Sequence, residues 1–70
     1  MEEHYKDAVI IVRTTPCAKG LRWRSGSEVK YLKDLREAVK KLQLDLDYDT
    51  AQEAERACLV FSKKWVDLKL

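Results

Sequence analysis

The chain has 70 residues, room for one domain and too few to bury more than about 60% of its unfolded surface. Hydrophobic residues make up an ordinary 46%, while the 37% charged fraction exceeds the usual quarter, a combination that argues against disorder. No apolar run, Ala8 to Val12 included, approaches the roughly 18 residues of a membrane span. The start Met1-Glu2-Glu3-His4 lacks the basic and apolar regions of a signal peptide, so a soluble, cytoplasmic protein is expected. Two cysteines and one histidine, with no closely spaced cysteine pair, exclude a structural zinc site built by this chain alone.

Residues 1–6 are charged and read as a frayed tail, leaving 7–70 as the folded domain. The β-branched run Ala8-Val9-Ile10-Ile11-Val12 predicts a strand over 7–14. Pro16 and Gly20 then break the pattern, and Leu21-Arg22-Trp23-Arg24 reads either as a short returning strand or as a loop. Ser25-Gly26-Ser27-Glu28 has the spacing of a capping box, and Tyr31, Leu32, Leu35, Ala38, Val39 and Leu42 share one face at 100° per residue. This pattern predicts a helix over 26–43. Leu44 to Tyr48 alternates as a strand with one wet face. A second capping box, Thr50-Ala51-Gln52-Glu53, opens a helix with Ala54, Ala57, Cys58, Phe61 and Trp65 on its apolar face. Val66 to Leu70 alternates again and predicts a closing strand. The expected fold is therefore α+β in the order β-(β)-α-β-α-β, with two amphipathic helices on one face of a three- or four-stranded sheet.

Charge is unevenly distributed. Residues 1–43 hold ten Lys/Arg against six Asp/Glu, and residues 44–70 hold four against six. Arg13, Lys19, Arg22 and Arg24 fall within twelve residues with no acid between them, and Trp23 is interleaved. Arginine offers forked donors to phosphate, and an exposed indole stacks on unpaired bases. The segment also leads into the expected helix N-terminus, which favours anions. Lys30, Lys33, Arg36, Lys40 and Lys41 continue the basic theme on the polar side of that helix, against Asp34 and Glu37. The first reading is thus a small nucleic-acid-binding module, with Arg13, Lys19, Arg22, Arg24 and Lys30 on phosphate and Trp23 stacking or wedging. The alternative is a protein-interaction module, a homodimer, adaptor or inhibitor docking through an edge strand or the outward Leu59.

Chemistry finds less support. Thr14-Thr15-Pro16-Cys17 follows the first strand, and a thiol so placed resembles the opening of thioredoxin-like and arsenate-reductase-like proteins. That resemblance implies redox or nucleophilic chemistry at Cys17, its thiol activated by Lys19 and Arg22. It covers about ten residues and then departs from those families, which begin a helix directly after the cysteine. Pro16 is also the only proline, so no second one faces the thiol. Asp45, Asp47 and Asp49 suggest calcium, but Thr50 stands where an EF-hand needs glycine and Arg56 where it needs glutamate. They read instead as the wet side of a strand that discourages edge pairing. With no catalytic constellation, neither enzymatic activity nor a cofactor is expected.

Overall fold

A computed structural model describes residues 1–17 and 22–70. Strands β1 (Glu2–Tyr5), β2 (Ala8–Pro16), β3 (Trp23–Lys33) and β4 (Arg36–Tyr48) form an antiparallel sheet in the order β1-β2-β3-β4, and the single helix among the described residues, α1 (Ala51–Lys69), follows. The architecture is α+β with one helix, which corrects the expected two. The segment read as a frayed tail supplies β1, paired with β2 from Glu2↔Ile11 to Tyr5↔Ala8.

The largest correction falls on residues 26–43, expected as a helix and folded as most of the β3–β4 hairpin. β2 buries Ala8, Ile10 and Val12 at 0–2% exposure, so its backbone needs ladder partners along its length. β1 covers only four residues of one side, and β3 supplies the other in a ladder from Val9↔Lys30 to Pro16↔Trp23. Tertiary pairing overrides local helix propensity here. The supposed capping-box serines, Ser25 and Ser27, point inward with Val29, and Ser27 shares a 2.6 Å hydrogen bond with Ser62 of α1. The hairpin turns at Asp34 and Leu35, whose φ angles of 52° and 65° match the left-handed turn that suits strand twist.

The final segment is corrected too. Val66 to Leu70, expected as a strand, belongs to the end of α1 and its C-cap. Val66 completes a buried stripe with Ala54, Cys58 and Ser62, spaced four residues apart, that packs on the inner face of the sheet. The start of α1 lies where its capping box puts it, with Thr50 Oγ1 accepting from the Glu53 N–H at 3.1 Å.

Strand alternation then assigns faces. Tyr5, Ile10, Val12, Ser25, Val29, Tyr31, Leu42 and Leu44 turn toward α1, and among the described residues no element covers the sheet's other face. The molecule is elongated, 43 × 17 × 17 Å, with the β2–β3 connection at one end and the β3–β4 turn at the other.

Candidate nucleic-acid interface

At the connection end, the arginines of the basic segment are held by aspartates. Arg24 Nε donates to Asp47 Oδ1 at 2.8 Å, and Arg22 Nη2 donates to the Asp47 carbonyl at 2.8 Å. Arg22 also pairs with Asp49 at 3.1 Å. The Cys17 N–H donates to the Arg22 carbonyl at 2.9 Å. Two of the three alternating aspartates thus neutralise the arginines expected to face phosphate.

The other predicted site residues are scattered. Trp23 alternates with Arg24 and lies on the α1 side of the sheet, half-buried, while Arg24 emerges on the uncovered face. The indole and its neighbouring arginine therefore do not share a surface. Arg13 and Lys30 do lie on the uncovered face, and neither is ion-paired among the described residues. Arg13 stands opposite Gly26, and Lys30 is four residues further along β3, about 13 Å away. Lys19 lies outside the described residues. No helix N-terminus follows this segment, because Ser25 continues β3.

The half-buried setting of Cys17, and then its hydrogen bond to Asp47 Oδ1 at 3.4 Å, push the thiol above its ordinary value, opposite to the expected lowering. The same carboxylate, held by Arg24 and then by the thiol, lies below the usual range for an aspartate. The resemblance also implies a helix following the cysteine, and the described chain from Trp23 to Lys33 is strand β3. Among the described residues no group of three His, Cys, Asp or Glu side chains is placed to hold a metal ion.

The turn end differs. Tyr31 of β3 packs against Trp65 of α1, ring centroids 5.7 Å apart and planes tilted by 54°. Beside them a cleft of about 350 Å³ is lined by Tyr31, Leu32, Lys33, Trp65, Lys69 and Leu70. The ladder puts Arg36 directly opposite Lys33, and Lys40 opposite Val29, four residues further along β4, so that the two flank Ala38, the partner of Tyr31, on the same side of the sheet. Lys33, Arg36, Lys40 and Lys69 thus gather around an aromatic pair, and among the described residues none is ion-paired.

Lys33, Arg36 and Lys40 belong to the basic stretch already evident in the sequence, but alternation divides that stretch, sending Lys30 and Lys41 to the uncovered face. Tyr31, Trp65 and Lys69 escaped notice because they read as core and as a closing strand. Their only sequence signal is the four-residue spacing from Trp65 to Lys69, legible once α1 is known to continue. No helix among the described residues is long and apolar enough to cross a membrane. Comparison with protein-family models, curated proteins and solved structures yields no match to this chain.

Proposed function

We propose that this protein is a small, non-catalytic nucleic-acid-binding module that takes a single strand at the cleft between the β3–β4 turn and the end of α1. The observation that carries the reading is the set of four cations without ion-pair partners among the described residues, Lys33, Arg36, Lys40 and Lys69, around the half-buried Tyr31–Trp65 pair. Cations of this kind attract phosphates, and exposed aromatic edges accept an unstacked base. A duplex offers only its backbone, because its bases are already stacked on one another. The preferred ligand is therefore single-stranded DNA or RNA, with Arg13 and Lys30 at most secondary contacts on the opposite face.

Fluorescence anisotropy with labelled single- and double-stranded DNA and RNA, at two salt concentrations, tests this. Four phosphate contacts predict an affinity that falls with a log–log salt slope of about −3 for a single strand. Single strands should bind more tightly than duplexes of equal length. Flat titrations with every probe at low salt would retire the proposal.

A further inference from the structure

We propose that the protein forms a homodimer by antiparallel pairing of β4 with β4 of a second copy, about a two-fold axis passing beside Gln43. The sheet has two edges of very different length. β1 offers four residues, whereas β4 has thirteen, partnered by β3 on one side only. A long strand with a free row of backbone donors and acceptors is a template for pairing, and proteins that avoid this shorten or cover such edges. The helix packs on β2, β3 and β4 from the inner face of the sheet, and among the described residues no strand pairs with the outer edge of β4.

The charge pattern of β4 selects the occupant. Its first half carries Arg36, Lys40 and Lys41 against Glu37, and its second half carries Asp45 and Asp47. A copy running parallel would set like charges together, whereas an antiparallel copy sets the basic half against the acidic half. With Gln43 on the axis, Lys41 faces Asp45 of the second copy, twice over, on the uncovered face of the sheet. On the α1 side Leu42 faces Leu44, also twice. Both leucines are only half-buried within one chain, and Leu46, further along β4, is 57% exposed. Opposite charges and apolar pairs directly across an antiparallel ladder are each stabilising. The two-fold operation closes on itself, giving an eight-stranded sheet rather than a growing fibre. In this arrangement the two turn-end clefts lie at opposite ends of the assembly.

Light scattering coupled to size exclusion, with sedimentation velocity over a concentration series, tests the proposal without any nucleic acid present. The full chain should reach twice its 8.2 kDa mass. Lys41→Glu and Asp45→Lys each set like charges against one another across the axis, and each alone should weaken dimerisation at least tenfold. Mixing the two variants pairs opposite charges at both positions, so the mixture should form a heterodimer close to wild-type strength. Circular dichroism checks that each exposed-site variant keeps its fold. A monomer at all concentrations, assembly beyond a dimer, unaltered dimerisation of the single variants, or no rescue on mixing would overturn the proposal. Since these readouts concern mass alone, its failure is separable from failure of the nucleic-acid reading.

Discussion

The two ends of this molecule carry similar residues in opposite surroundings. Each has a tryptophan and several cations. At the connection end Arg22 and Arg24 are engaged by Asp47 and Asp49, and Trp23 is turned away from them. At the turn end Lys33, Arg36, Lys40 and Lys69 are free of ion pairs among the described residues, and Trp65 lies beside them. Density of basic residues along a chain therefore says little about which charges reach a ligand. What decides is whether the fold brings a carboxylate within range.

The two tryptophans offer the strongest test of this contrast. Trp65 packs on the buried cluster and stacks obliquely on Tyr31, whereas Trp23 is outside the set that packs on that cluster. Trp65→Ala should cost about 2–3 kcal/mol in urea unfolding, less than a fully buried tryptophan because Trp65 is only half-buried. Trp23→Ala should cost about 1 kcal/mol or less, in the range of ordinary substitutions away from a core. Equal losses would mean that the connection end is built as firmly as the turn end.

A smaller effect separates the ends in binding. Lys33→Glu together with Lys69→Glu should lower affinity for single-stranded nucleic acid at least tenfold, about 1.4 kcal/mol, and flatten the salt slope. Arg22→Ala together with Arg24→Ala should leave affinity within about twofold, because those guanidinium groups already have partners. Anisotropy at one low salt concentration measures both. The opposite result would return the binding surface to the connection end.

The sequence revealed this structure unevenly, for reasons that particular residues explain. The β2 strand and the start of α1 were legible because each rests on local chemistry, a β-branched run in one and the Thr50 cap in the other. The hairpin was not. Its turn uses Asp34-Leu35 where glycine or asparagine would have announced it, and Leu35 takes a positive φ while 97% exposed. Leu32, Leu35 and Val39, which completed the apparent helical stripe, are all exposed, so the periodicity there describes no buried face. Ser27 and Ser62 hid the true register because two polar residues, bonded to each other, occupy buried positions. The clamping role of Asp47 and Asp49 was invisible for a simpler reason, since their partners lie 23 to 27 residues earlier in the chain.

The smallest expected effect concerns that clamp. Arg24, followed by the Cys17 thiol, holds the Asp47 carboxyl below its ordinary value of 3.8, so the folded state binds this proton more weakly than the unfolded chain does. A depressed carboxylate contributes stability that is complete above the unfolded value and fades as pH falls through the folded one. Thermal melting of the wild type should therefore weaken below about pH 4, and Asp47→Asn should flatten part of that acid limb. The pair is substantially exposed, so the change should be small and should shrink in high salt. Asp67, lowered chiefly by Lys6 and then by Tyr5, contributes in the same direction, so some acid sensitivity should survive in the variant. Arg24→Gln should reproduce the flattening, because the depression of Asp47 originates mainly in that guanidinium. An acid limb identical in wild type, Asp47→Asn and Arg24→Gln would show that the clamp does not couple to folding. The arginines at the connection end would then be available to a ligand, and the contrast between the two ends would lose its electrostatic basis.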